Sequence, residues 1–118
     1  MLPNRIHLSK IASEQLKLLK GRTGITPNIL ARIALARSIK EGFNYKLKED
    51  MTLDGLEFQM PTLLGEYALL YERLLVELHQ FENSNDLTLA LAAHIENGLA
   101  SIRSVKDLGE LLSQLDNG

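Results

Sequence analysis

The chain of 118 residues contains no cysteine, no tryptophan and only three prolines. Without cysteine, it cannot form disulfides, use a thiolate nucleophile, or bind zinc or an iron–sulfur cluster through sulfur. No apolar run approaches the ~18 to 20 residues that a membrane span needs. The N-terminus also lacks the apolar core of a secretory signal. We therefore expect one soluble, cytoplasmic domain over residues 1–118 that does not contact a membrane.

Acidic residues are scarce in the first part of the chain, and basic residues are scarce in the rest. Residues 1–48 carry ten lysines and arginines against two carboxylates, a net charge of +8. Residues 49–118 carry three against thirteen, a net charge of −10, so the total of −2 conceals two oppositely charged segments. This asymmetry favours an anionic partner for the first segment, nucleic acid above all. The alternative is that the two segments pair with each other in the fold.

The motifs that would indicate catalysis or metal binding are incomplete. His94-Ile95-Glu96 has the H-x-E spacing of zinc deaminases, but that site also needs cysteine ligands. The three histidines lack a metal-binding spacing, and there is no nucleotide-binding phosphate loop. Gly21-Arg22-Thr23-Gly24 matches the GxxG loop of KH domains, whose three-stranded sheet the β pattern here does not supply. We predict a protein that is not an enzyme and that uses no metal or other cofactor.

The spacing of apolar residues predicts a mainly α-helical fold with one short N-terminal strand. Residues 4–9 alternate polar and apolar side chains, which is typical of a strand. An amphipathic helix is predicted from the Ser9 cap to about Gly21. A second is predicted from Pro27 to about Glu41, because proline favours the first helical position and a glycine follows the end. This second helix is apolar on almost all sides, as expected for a helix buried in a core or a subunit interface.

The rest of the chain is predicted to be a connection followed by about three helices. Residues 43–61 lack helical periodicity, with a short strand predicted over Leu56–Phe58. The longest helix is predicted over residues 62–82, followed by helices over residues 86–102 and after a Ser104 cap. The apolar face of the longest helix would be Tyr67, Leu70, Tyr71, Leu74, Leu78 and Phe81. The single domain would thus comprise a basic part (1–42), a connection (43–61) and an acidic helical part (62–118).

The order strand, helix, helix in residues 1–42 matches the ribbon-helix-helix arrangement, in which two chains pair their short strands. Such pairing would give the lone strand a partner and make the protein an intertwined dimer. In proteins that read the major groove with a ribbon, outward strand side chains meet base edges and helix N-termini hold phosphates. The ribbon face here would be Arg5, His7 and Ser9, and the helix start would be Thr26 to Asn28.

Three lysines on the first helix form a second candidate surface. Lys10 and Lys17 are seven residues apart and nearly eclipsed, and Lys20 lies close by, so the three span roughly 15 Å of one side. Lysines at this spacing suit phosphates and carry no sequence information. Arg37 falls between two apolar positions on its helix, and we expect it to make a buried ion pair or an interface contact. The DNA-binding candidates are Arg5, Lys10, Lys17, Lys20, Arg22 and Asn28.

One segment resembles a known family. Its sequence, from Leu19 to Ser38, is LKGRTGITPNILARIALARS, and it is similar to the DndE family of DNA sulfur modification proteins. The resemblance implies a non-catalytic member of the bacterial system that replaces a non-bridging phosphate oxygen of DNA with sulfur. Its partners would be a cysteine desulfurase, an iron–sulfur and ATP-using sulfur transferase, and an ATPase. The resemblance further implies a ribbon-helix-helix-like core, a tetramer built from dimers and a preference for nicked duplex DNA.

Three functions follow from the residues and the resemblance together. The first is a non-catalytic subunit that binds the DNA backbone. The second is a ribbon-helix-helix repressor that reads sequence through Arg5 and His7. The third is an assembly scaffold whose acidic part docks onto a partner subunit of the modification complex.

Overall fold

The fold, taken from a computed structural model that describes residues 2–80 and 84–117, is mainly α-helical with a short N-terminal strand, as predicted. No helix in these ranges is long and apolar enough to cross a membrane. The elements are β1 (Arg5–His7), α1 (Lys10–Thr23), α2 (Pro27–Glu41), a 3₁₀ helix (Tyr45–Lys48), β2 (Glu57–Gln59), α3 (Met60–Leu64), a second 3₁₀ helix (Gly65–Tyr67), α4 (Ala68–Leu78), α5 (Ser84–Ile102) and α6 (Leu108–Asn117).

The first helix begins and ends where the sequence indicates, within two residues. Ser9 caps α1 by accepting a hydrogen bond from the backbone N–H of Ala12 at 3.1 Å. Gly24 ends it in the left-handed region, with φ of 77°, and its N–H donates to the Lys20 carbonyl. One face of α1 is buried, and the opposite face, which carries the lysines, is exposed.

The core of the molecule is the crossing of α2 on α5. These two helices share the most extensive contact of any pair of elements. Small side chains let them approach closely, since Ala31 and Ala34 of α2 are fully buried and Gly98 of α5 lies against the Ala34 backbone. The predicted burial of α2 is therefore observed on this face, whereas Ile29 on its outer face remains 44% exposed.

The N-terminal strand pairs with a second strand of the same chain. β1 pairs with β2 in antiparallel register, with Ile6 opposite Phe58, and both of these side chains are buried. The predicted strand at Leu56–Phe58 is thus present, shifted by one residue. β1 therefore has a strand partner in its own chain that buries its apolar face, so the lone strand from which pairing with a second chain was predicted is not observed.

The long helix predicted over residues 62–82 is interrupted. Gly65 adopts a φ of 58°, which ends α3, and α4 starts three residues later and ends at Leu78. The apolar periodicity continues across this break, which is why the pattern alone predicted one helix. Phe81 and Glu82 lie outside the described residues.

The last two helices also differ from the prediction at their starts. α5 begins at Ser84, two residues earlier than predicted. The cap of α6 is Asp107, whose Oδ1 accepts from the Glu110 N–H at 2.8 Å, and not Ser104.

Candidate nucleic-acid interface

The lysines of α1 lie on its solvent face as predicted. Lys10, Lys17 and Lys20 are all exposed. The Lys10 Nζ is 3.5 Å from an Asp54 carboxylate oxygen, so its charge is partly compensated. Within the described residues, Lys17 and Lys20 have no ion-pair partner. These two ammonium groups are therefore available to an anion without first breaking an internal pair.

The predicted ribbon face is exposed but shares its charge with the neighbouring strand. The Glu57 Oε1 is 3.7 Å from Arg5 Nη1 and 3.8 Å from His7 Nε2. The antiparallel register places Glu57 directly opposite His7, which brings the three side chains together. Arg5 can approach a phosphate only in competition with this carboxylate, and exposed pairs of this kind are weak.

Two of the predicted DNA-binding residues make internal hydrogen bonds. Arg22 Nη1 donates to the carbonyls of Arg103 at 3.1 Å and Val105 at 3.3 Å, which ties the end of α1 to the segment between α5 and α6. Asn28 Nδ2 donates to the Thr62 carbonyl at 3.3 Å. Arg22 and Asn28 thus each hold two parts of the fold together.

A concavity lies at the N-terminal end of α1. It has a volume of about 230 Å³ and is lined by Ser9, Lys10, Ile11, Met51, Thr52, Asp54 and Glu96. The buried Glu96 carboxylate accepts from Lys48 Nζ at 2.9 Å and from the Ser9 hydroxyl. Motif searching missed Glu96 as a site residue because its H-x-E motif pointed to zinc. A better signal was its position among the apolar residues of α5, where an unpaired charge would be costly.

A second buried polar cluster connects α2, α4 and α5. The Ser38 Oγ is 2.7 Å from His94 Nδ1, and His94 Nε2 is 2.9 Å from His79 Nε2. Burial, followed by the nearby His79, lowers the pKa of His94 to about 4. Burial, followed by Lys46, also lowers the pKa of His79. A histidine beside a serine can act as the base that activates a serine nucleophile. Ser38 and His94 are both fully buried, however, so a substrate cannot reach them.

The described residues contain no cluster of three or more histidine, aspartate or glutamate side chains that could hold a metal ion. The exposed lysines of α1 present ammonium groups to the solvent. Such groups bind anions through charge and hydrogen bonds.

Comparison with known proteins agrees with the resemblance carried by residues 19–38. A family model described as DNA sulphur modification protein DndE matches residues 5–110. The crystal structure of DndE from Escherichia coli B7A, involved in DNA phosphorothioation modification, is similar with a TM-score of 0.79 and 46% identity. A crystal structure of a DndE mutant involved in DNA phosphorothioation has a TM-score of 0.77 and 42% identity. Each match covers 86% of this chain and 99% of the other. A search of the curated proteins found no match to this chain. The chain belongs to the DndE family of DNA sulphur modification proteins.

Proposed function

We propose that this protein is a non-catalytic, DNA-binding subunit of a DNA phosphorothioation machinery. Its family and the similarity to a DndE involved in that modification support the pathway. The observation that supports DNA binding is the pair of exposed lysines on α1, Lys17 and Lys20, which lack a counter-charge among the described residues. A protein of this system would work on bacterial DNA, and we therefore propose a cytoplasmic location.

The lysine surface suits the DNA backbone better than the bases. Ammonium groups are point charges that attract phosphates regardless of sequence. Lys17 and Lys20 would contribute most, and Lys10 and Arg5 less, because each of the latter lies beside a carboxylate. We rank Arg22 and Asn28 last, since both use side-chain donors internally.

A nick would favour this surface in two ways. An interrupted duplex bends at lower cost, so its phosphates can adapt to lysines fixed on a rigid helix. The acidic part of the chain, net −10 over residues 49–118, repels any duplex that approaches elsewhere. Binding is then limited to DNA that can fit the basic surface.

Removing the two unpaired lysines tests the surface. We expect Lys17→Ala combined with Lys20→Ala to weaken binding of nicked duplex about tenfold or more at fixed salt. The slope of log affinity against log salt should become shallower by about 2, as two phosphate contacts are lost. Fluorescence anisotropy at several salt concentrations measures both quantities.

The matched control removes two positive charges elsewhere. Arg73 on α4 and Lys106 before α6 are both exposed, so Arg73→Ala with Lys106→Ala changes the net charge equally. We expect this variant to bind almost as the unmodified protein does. Equal losses in both variants would contradict a localised surface and indicate only a general charge effect.

The repressor and scaffold alternatives give different results in the same assay. A repressor would prefer one duplex sequence with or without a nick, and Arg5→Ala would abolish that preference. A scaffold would bind DNA weakly and with little dependence on salt. The other subunits of the modification complex are the partners we expect for the acidic helical part.

We also propose that the protein forms a homo-oligomer, a tetramer built from dimers. Four residues at helical spacing around α4 expose much of their side chains: Tyr67 (50%), Leu70 (54%), Leu74 (39%) and Leu78 (38%). Within α4, Leu75 is the buried residue. A second copy would cover this apolar stripe, which is unfavourable in water.

Polar substitution of the stripe tests the oligomer. We expect Leu70→Ser with Leu74→Ser to shift the native mass from several chains towards the 13.2 kDa of one, as measured by light scattering after gel filtration. Leu47→Ser, at a 76% exposed position of the first 3₁₀ helix, should leave the mass unchanged. An unchanged mass in the double variant would show that the copies meet elsewhere.

A further inference from the structure

We propose that the concavity at the N-terminal end of α1 receives one unstacked base beside the nick. This inference rests on the proposed DNA binding and names the part of DNA that the site takes. The bound group is a nucleobase, and the lysines of α1 hold the phosphates that flank it.

The size and walls of the concavity suit a single base. Its volume of about 230 Å³ lies just below the ~300 Å³ at which pockets for drug-sized molecules begin, so it admits one ring system. Ile11, which is 60% exposed, and the half-buried Met51 give it apolar walls. Apolar side chains of this kind pack on the faces of extruded bases.

The polar side of the concavity offers hydrogen-bond acceptors. Glu96 is held rigidly, with one oxygen accepting from Ser9 and the other from Lys48 at 2.9 Å. Each carboxylate oxygen can accept a further hydrogen bond, so Glu96 retains capacity for a donor such as a base amine. Because Lys48 compensates its charge, Glu96 adds little repulsion towards the DNA backbone.

The position of the concavity connects it to the lysine surface. Lys10 lines the concavity and also begins the lysine row, with Lys17 about 10 Å further along α1. A backbone that follows this row therefore brings its last nucleotide to the opening. A base next to a nick leaves the stack at lower cost than one inside an intact duplex, so this site would contribute to the preference for nicks.

A larger concavity near the N-terminus lacks this combination. It has a volume of about 330 Å³, and its lining includes Leu2, Pro61, Leu69 and Glu72 but no lysine or arginine. Nothing on it would attract a phosphate. The smaller concavity combines acceptors and apolar walls with a cation, Lys10, which is partly compensated by Asp54 of the same lining.

The test uses a nicked duplex with 2-aminopurine, whose fluorescence is quenched by stacking, beside the nick. On binding of the full-length protein, we expect the fluorescence to rise severalfold. Ile11→Ser removes one wall and Thr52→Phe fills the space, so each should abolish the rise. Each should also weaken nicked-duplex binding about tenfold without changing intact-duplex binding. Leu47→Ser, at an exposed apolar residue that does not line the concavity, is the matched control and should behave as the unmodified protein.

The results separate this inference from the function on which it rests. Binding of nicked duplex without a fluorescence rise would overturn the base site and leave the lysine surface in place. A rise that persists in both Ile11→Ser and Thr52→Phe would also overturn it. Failure to bind either duplex would overturn the proposed function and the base site together. Displacement of the DNA signal by free nucleoside at equal concentration would identify a nucleoside site and overturn a site built for DNA.

Discussion

Gly98→Ala is expected to destabilise the fold by about 3 kcal/mol or more, because the new methyl group has no space. A Cβ at this position would lie 1.9 Å from the Ala34 carbonyl oxygen and 2.4 Å from its carbon. Both atoms belong to the α2 backbone, so relief requires α2 and α5 to separate along the most extensive contact of the fold. Urea unfolding followed by circular dichroism measures the change in the free energy of unfolding.

Gly21→Ala is the matched control for this prediction. Gly21 lies in the last turns of α1, its φ is not positive, and no atom beyond its chain neighbours and the backbone of its own helix lies within 4 Å of the position of its Cβ. Alanine should therefore stabilise α1 by up to about 1 kcal/mol through helix propensity. A Gly98→Ala protein with wild-type stability would mean that α2 and α5 do not pack as closely as described.

Local signals were sufficient to predict the strand and the two helices of residues 1–42. Ser9, Pro27 and Gly42 each act through bonds or dihedral angles of their own neighbourhood, so caps and stops can be read from the sequence. The break at Gly65 was missed because the apolar pattern continues through it. Its stabilisation comes from a distant residue, since Arg32 donates to the carbonyls of Thr62 and Leu63 at the end of α3. A contact across about thirty residues has no local signature.

The candidate site likewise combines features that the local sequence predicts with features that depend on segments distant in sequence. Charge and helical spacing correctly placed Lys17 and Lys20 on an exposed face, since an amphipathic helix buries one side only. The internal bonds of Arg22 and Asn28 depend on segments that are distant in sequence, and no spacing rule predicts them. Arg37 was expected to make a buried ion pair or an interface contact; its buried Nε has no hydrogen-bond partner among the described residues, and the interface contact stays a prediction.

Acid is expected to destabilise the protein through His94. The pKa of His94 is about 4 in the fold, against the ordinary 6.5 in the unfolded chain, because burial and then His79 disfavour its charged form. Above pH 6.5, His94 is neutral in both the folded and the unfolded protein, so its contribution to the free energy of unfolding is constant. As the pH falls from 6.5 towards 4, the unfolded chain takes up a proton that the fold excludes, so stability falls by on the order of 3 kcal/mol and then levels off. The lowered pKa of His79 acts in the same direction.

Variants of the three histidines show which of them causes the loss of stability in acid. Urea unfolding at pH 7 and pH 4.5 gives the acid loss of each protein, and NMR titration of the imidazoles gives the pKa directly. His94→Asn should remove most of the acid loss. His79→Gln should retain most of it, since burial contributes more to the His94 shift than His79 does. His7→Gln, at a half-exposed position of β1, is the control for replacing a histidine outside the cluster. A His94 resonance that titrates near pH 6.5 would contradict the buried Ser38–His94–His79 cluster, because an imidazole with free access to water keeps its ordinary pKa.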